Sequence, residues 1–423
     1  MNMPGNIRQQ HFIFRRQALL RAFTIVVPVL LSLSTMTTAL AEGKLSGELR
    51  YRYEWVEQQG FSLKARASTL RTQLGYDTGD YRGFGAFVQL EDVRHVGAER
   101  YNSSINGLTQ YPAVTDPSDT ELNQAYVSYK GFSGTTLKGG RQVITYDNHR
   151  FIGDVGWRQN QQTYDAFTLV NTSFPDMTIS YAYVTNVNRI FSERHPTLSD
   201  VEMQSNLINA AYKGLPAGTL VGYGYFIDYD PNQPFAVTAS HRNLGIRFDG
   251  SYAAGDHKWL YTVEHARQDS YADGASTIDA TYRYGMIGVD IAGIQFKLNY
   301  ELLSGNGVYA LQTPLATLHA HNGWADKFLS TPLDGLVDVS VSVGTTLGPV
   351  SLLGVYRDYS SDNLGYAYGQ ETNLLATWKA AKNFTLLAKV ARYRGDTNAT
   401  NVTRNLALSQ DVTKYWLQAS YQF

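Results

Sequence analysis

From Leu45 to the last residue, apolar and polar positions alternate with a period of two. Leu45, Gly47, Leu49, Tyr51, Tyr53 and Trp55 fall on one face, and Ser46, Glu48, Arg50, Arg52 and Glu54 on the other. This is the pattern of a strand with one apolar and one strongly polar side. Ile294, Phe296, Leu298, Tyr300 and Leu302 alternate with Gln295, Lys297, Asn299 and Glu301, and Val337, Val339, Val341 and Val343 with Asp338, Ser340, Ser342 and Gly344. The chain ends in the same way, Tyr415, Leu417, Ala419, Tyr421 and Phe423 against Lys414, Trp416, Gln418, Ser420 and Gln422. Residues 205–214 and 218–228 are apolar on both faces and fit either phase.

Eighteen such segments are predicted, near 45–57, 64–77, 82–94, 121–131, 135–146, 162–173, 176–187, 205–214 and 218–228, then 240–249, 257–268, 280–290, 293–303, 335–346, 349–359, 370–379, 383–393 and 412–423. Connections after even-numbered segments are short, such as Phe174-Pro175, Ile291-Ala292 and Leu347-Gly348. Those after odd-numbered ones are often long, such as 95–120, 147–161, 188–204, 304–334 and 394–411. Residues 250–256 on the short side and 58–63 on the long side break the rule. Alternating short turns and long loops predict an antiparallel transmembrane β-barrel of about 18 strands, turns in the periplasm and loops outside. A strand of about 9–11 tilted residues crosses the bilayer, and closure is required because lipid offers no partner to a free sheet edge. A sandwich of this length would need two domains, and the chain shows no linker. A propeller or solenoid would repeat at a fixed period, which is absent.

Residues 1–41 read separately. Arg8, Arg15, Arg16 and Arg21 precede an apolar run from Ala22 to Leu33, and Ala39-Leu40-Ala41 follows as a small-x-small cleavage site. A cleaved export signal over 1–41 leaves a barrel domain over 42–423, with 32 Lys and Arg against 37 Asp and Glu. Such a balance argues against a nucleic-acid binder. The chain has no cysteine, so disulfides and thiolate metal sites are excluded. Tyrosine is unusually abundant at 30 residues. Tyr and Trp at segment ends suit the interfacial girdles of a membrane protein.

Polar faces of the strands are expected to line a wet lumen, because an Arg or Lys facing lipid at the midplane costs about 2–4 kcal/mol. Arg50, Arg52, Arg71 and Lys297 belong there, with Glu48, Glu54, Glu91, Glu264 and Glu301, so the lumen carries both signs. The connection 147–161 concentrates Asp147, Asn148, His149, Arg150, Asp154, Trp157 and Arg158, a set suited to an inward-folded constriction that selects solutes by charge and hydrogen bonding. The alternative is a solvated surface loop held by its own salt bridges. Asp228-x-Asp230-x-Asn232 opens like a calcium loop but lacks the glycine and the closing glutamate. His319-x-His321 offers two ligands, which do not make a metal site. No metal or cofactor is predicted, nor a hydrolase or nucleotide-binding motif.

Five stretches carry a resemblance. Tyr415-Trp-Leu-Gln-Ala-Ser-Tyr-Gln-Phe423 resembles the carboxy-terminal signal of bacterial outer-membrane proteins, which implies that Tyr421 and Phe423 are read by the barrel assembly machinery. Gly140-Arg141-Gln142 is similar to a segment of outer-membrane porins. Tyr146-Asp-Asn-His-Arg-Phe-Ile-Gly153, Gly156-Trp-Arg-Gln-Asn160 and Asn322-Gly-Trp-Ala-Asp-Lys-Phe-Leu-Ser-Thr-Pro-Leu-Asp-Gly335 resemble the alginate-export family of Gram-negative bacteria. That resemblance implies an 18-stranded channel, a pore role for Arg141, and an outer-membrane location among lipid. It implies passage of small polar or anionic solutes by passive diffusion, without an enzymatic step, or export of an anionic polysaccharide such as alginate. Two departures weigh against alginate: only 379–383 lies where the alginate exporter has a long plugging loop, and the chain after residue 41 is slightly acidic.

Overall fold

The computed structural model describes residues 43–233 and 239–423. The export signal and its cleavage site lie outside the described residues. The strands are β1 (Lys44–Gln58), β2 (Ala65–Asp77), β3 (Phe84–His95), β4 (Asp119–Phe132), β5 (Thr135–Gln142), β6 (Thr163–Asn171), β7 (Met177–Asn188), β8 (Asp200–Leu215) and β9 (Gly218–Ile227). They continue as β10 (His241–Ala254), β11 (His257–Ser270), β12 (Asp279–Ile291), β13 (Ile294–Leu303), β14 (Leu336–Leu347), β15 (Val350–Ser360), β16 (Ala367–Ala381), β17 (Phe384–Gly395) and β18 (Val412–Gln422). All 18 form one antiparallel sheet. It closes where β1 pairs with β18 as well as with β2. At that seam the Phe423 and Gly47 backbones exchange hydrogen bonds of 3.0 and 3.1 Å.

The polarity of the molecule is inverted relative to a soluble protein. Leu298, Val341, Leu374 and Leu417 are 49–59% exposed on the outward face. Arg52, Glu54, Glu91, Glu264, Glu301, Asp338 and Glu371 are buried on the inward face. Only lipid outside and polar groups inside reconcile these two facts.

The strand ends refine the sequence pattern in three places. β5 stops at Gln142, four residues before the alternation ends, and the chain then leaves the wall. Gly140 has φ +127° there, and a Cβ on it would lie 2.3 Å from the Ala125 carbonyl oxygen, so the bend depends on glycine. β10 runs on to Ala254, which turns the apparent exception at 250–256 into the short turn Gly255-Asp256. β8 begins at Asp200, five residues before its predicted start, because cross-strand pairing with β7 continues into the rim.

Candidate pore constriction

The chain between β5 and β6, residues 143–162, folds into the barrel. Its apolar side explains why. Ala166, Ala182, Val184, Leu207, Val221, Tyr223 and Tyr225 on β6–β9 are buried and form one cluster with Ile144, Phe151 and Ile152 of the loop. Tyr146 stacks on Tyr225 at 5.8 Å, and Phe151 meets Tyr223 at 5.4 Å and the edge of Tyr282 at 5.3 Å. The Tyr164 hydroxyl donates to the Gly153 carbonyl (2.6 Å) and fixes the loop's middle. Apolar patches on a lumen wall are stable only when covered.

The polar side of the loop reaches across the lumen. The Arg150 guanidinium meets Glu301 of β13 at 2.9 Å, on the opposite wall. Arg158 lies between Glu54 of β1 (3.2 Å) and Asp326 (3.0 Å). Burial alone would lower the Arg158 pKa, but Glu54, Asp116 and Asp326 overcome it and raise the value. Arg50 donates to Gln159 Oε1 and to the Gly156 carbonyl, both at 2.9 Å, and to the Arg158 carbonyl. Asp147 accepts from Asn209 (2.9 Å), and burial raises its carboxyl above the usual range. Asn148 Oδ1 accepts from the Arg150 backbone N–H (3.2 Å), and Asp154 from Gln161 (2.8 Å). Arg71 pairs with Glu48 and lies 3.7 Å from Glu91.

A second long connection, 304–335 between β13 and β14, folds inward beside the first; the sequence reading did not place it there. His319 Nδ1 faces Asp326 Oδ1 at 2.6 Å and its Nε2 faces the Lys389 ammonium at 2.7 Å. The Lys414 ammonium meets Asp326 at 2.6 Å. Asn322 donates to Glu301 (2.7 Å), and the Ala325 N–H to Glu371 (2.9 Å). Burial pushes His319 well below its ordinary value, against the pull of Asp326. Burial and Arg150 bring His321 down to about 3. Burial would raise Asp326, but His319, Lys414 and Arg158 hold it well below the carboxylate range. The two histidines therefore serve the packing of this loop, and no cluster suited to a metal occurs among the described residues. Asp230 Oδ1 accepts from the Asn232 N–H (2.8 Å), an ordinary turn at the rim.

Trp157 joins the two loops to the wall. His319 stacks on it at 4.6 Å, with the Arg52 guanidinium 4.1 Å and the Lys389 ammonium 3.9 Å from its ring. Trp324 holds Lys389 at 3.9 Å as well. Lys389 and Lys414 stand on inward positions of β17 and β18. Their alternation was readable in the sequence, but nothing marked them apart from other strand lysines. Lys297 stands on the same face of β13 as Glu301, nearer the short turns.

Arg141 requires a correction. It shares a face of β5 with Leu137, and its cross-strand partners are Ala125 and Asp165. That face is the outward one, since exposed Val127 and Phe167 lie on it. Arg141 pairs there with Asp165 (2.8 Å) and Glu193 (3.6 Å) at the rim. The Gly139-Gly140 pair before it erased the side-chain alternation that would have shown its phase.

Residues 43–303 match the family model described as alginate export. Among solved structures, OccAB4 of Acinetobacter baumannii superposes with a TM-score of 0.70 at 13% identity, covering 91% of this chain and 98% of its own. OpdK of Pseudomonas aeruginosa, crystallised with vanillate, gives 0.67 at 12%, covering 91% and 100%. A BenF-like porin from Pseudomonas fluorescens Pf-5 gives 0.69 at 13%, covering 91% and 99%. At these identities the likeness is one of fold. No curated protein matches the chain.

Proposed function

The chain belongs to the alginate-export family, and from that premise we propose that it is an outer-membrane channel for passive diffusion of small polar solutes, anions preferred. The observation that carries the preference is an imbalance of pairing inside the barrel. On the β16–β18 and β1–β2 wall, Arg50 is bonded to an amide and to carbonyls, Lys389 to an imidazole, and Arg52 has its carboxylate, Asp116, only at 4.0 Å. Among the described residues Trp157 Nε1, Trp416 Nε1 and Asn373 Nδ2 are buried donors beside them without an acceptor, against two buried carboxylate oxygens without a donor, Glu54 Oε1 and Asp116 Oδ2. An anionic group, above all a carboxylate, finds both charge and N–H donors along this wall. The constriction residues are Arg50, Arg52, Asp147, Arg150, Asp154, Trp157, Arg158 and Glu301. OpdK, crystallised with vanillate, makes aromatic acids the first panel.

Liposome swelling against sugars, amino acids and organic acids tests the reading. Faster entry of monocarboxylates than of neutral sugars of equal size supports it; equal rates sink the preference, and no swelling sinks the channel. Export of an anionic polysaccharide is favoured by the family match alone. A folded barrel that passes uronate oligomers but not small acids would select that reading. Tyr421 and Phe423 serve assembly in this proposal, with residues 1–41 as the export signal. Deleting Phe423 should reduce the heat-modifiable folded band while leaving the conductance of the remaining barrels unchanged.

A further inference from the structure

We propose that the lipid-facing wall of β15–β18 binds a phosphorylated glycolipid of the outer leaflet, acyl chains along an apolar groove and phosphate on Arg392 and Arg394. The argument uses only the outer surface and is independent of what passes through the lumen.

Outward side chains stand in rows across the strands. One row is Leu352, Ala376, Ala388 and Leu417, and the next towards the long loops is Gly354, Leu374, Val390 and Tyr415. Gly354, Ala376 and Ala388 leave a depression between larger neighbours. It comprises two adjoining apolar grooves of about 470 and 460 Å³ that share Ala376 and Ala388. Lipid chains are the solvent of this surface, and a depression gives one chain contact on three sides instead of one.

The same strand carries the headgroup site. Arg392 lies one row beyond Val390 and Arg394 one row further, both exposed. At a rise of about 3.3 Å per residue, Arg392 is roughly 13 Å along the strand from Ala388. It stands just past Tyr415 and Trp55, whose rings touch at 5.2 Å and mark the interfacial level. Neither guanidinium has a carboxylate or hydrogen-bond partner among the described residues. The acids nearest in register are engaged: Asp411, opposite Arg394, accepts from the Gly395 N–H (3.0 Å), Asp358 accepts from Gln370 (3.0 Å) and Glu57 pairs with Lys64 (2.8 Å). Elsewhere on the outward rim Arg141 and Arg267 each hold a carboxylate at 2.8 Å. Two free guanidinium forks at headgroup depth, above a chain-shaped groove, match a phosphate with acyl chains below it. A second copy of this barrel fits less well, because a two-fold contact there would bring four unpaired arginines together.

The test uses the full barrel in detergent, native mass spectrometry as readout and lipid A as probe, with and without its phosphates. Retention of phosphorylated lipid A should exceed that of the dephosphorylated form, and R392Q/R394Q should weaken it about 30-fold, roughly a factor of five per guanidinium. A388L, which fills the groove, should weaken both forms. R242Q, on a rim arginine that faces Asp269, should change nothing. Equal retention of the two lipids, or unchanged binding by R392Q/R394Q, overturns the proposal. So does an A388L variant that alters the oligomeric state and not lipid binding, since the groove would then belong to a contact between copies. Heat-modifiable mobility confirms that each variant is folded, and conductance is measured separately, so a failed lipid site and a failed channel are distinguishable.

Discussion

The two walls of the lumen are built from the same alternating strands and solve opposite problems. The β8–β13 wall is a surface of rings: Tyr223, Tyr225 and Tyr282 with Phe151 laid on them, and its charges are compensated locally, Arg150 by Glu301 and Arg247 by Glu264 (2.6 Å). On the wall of β17–β18 and β1–β2 cations outnumber carboxylates: Arg158, Lys414 and His319 share Asp326, Arg71 takes Glu48 and Arg158 takes Glu54, while Arg50, Arg52 and Lys389 have no carboxylate closer than 4.0 Å among the described residues. One wall anchors the constricting loop by burial and the other by charge. Position in the barrel, and not strand type, separates anchoring by rings from anchoring by charge.

The largest effect should come from cutting the charged anchor. Arg158→Ala leaves Glu54 and Asp326 buried with one cation fewer, a loss of about 3–5 kcal/mol. The expected result is a loop 304–335 that becomes open to external protease and a conductance that rises, with strand content by circular dichroism unchanged. Phe151→Ala attacks the other anchor and should cost about 3 kcal/mol, at the lower end for a buried ring. If only Arg158→Ala raises conductance, the ring wall is not an anchor and the comparison fails on that side.

Selectivity sharpens it further. Arg50→Gln or Lys389→Gln should move the reversal potential under a salt gradient towards cations. The permeability ratio should change roughly threefold, the factor carried by about one kT of local potential. The readout belongs at low ionic strength, where screening is weakest. Acid should act next. His319 and His321 have folded values below that of a free imidazole, so the docked loop binds fewer protons than the undocked one. Docking is fully stable above pH of about 6.5 and weakens as pH falls below it. Conductance should therefore rise from about pH 6.5 downward, towards the value of about 3 to which His321 is pushed, and His319→Gln should flatten the upper part of that rise. The smallest effect is expected from Tyr225→Phe, which removes a hydroxyl shared with Asn209 (3.0 Å). The loss is about 1 kcal/mol, with no change in reversal potential.

Legibility in the sequence followed how local each cause was. The strands were readable throughout because a lipid-facing side must be apolar at every second residue, a constraint each segment meets alone. Residues 205–214 and 218–228 looked phase-ambiguous for a reason the structure supplies: Leu207, Val221, Tyr223 and Tyr225 face inward and are apolar because Phe151 and Ile152 cover them. Doubly apolar strands in a barrel were thus the trace of an inward loop. The loop 304–335 left a fainter trace, the buried Tyr359, Tyr368 and Tyr393 under Phe328; its polar anchors, Asn322 on Glu301, the Ala325 N–H on Glu371, and His319 and Asp326 on Lys389 and Lys414, each need a partner on a distant strand. The pore role of Arg141 rested on the resemblance alone, because two glycines leave its phase unreadable.

The seam between β1 and β18 has a consequence for the order of events in the cell. The final residue of the chain is bonded to Gly47, near the start of the barrel, so the first strand has no second partner until the last one has been synthesised. The contact spans nearly the whole sequence, and loops of that length close slowly. The barrel therefore cannot close while the chain is incomplete, and until its last strand is in place the edge of β1 keeps a row of backbone groups without partners.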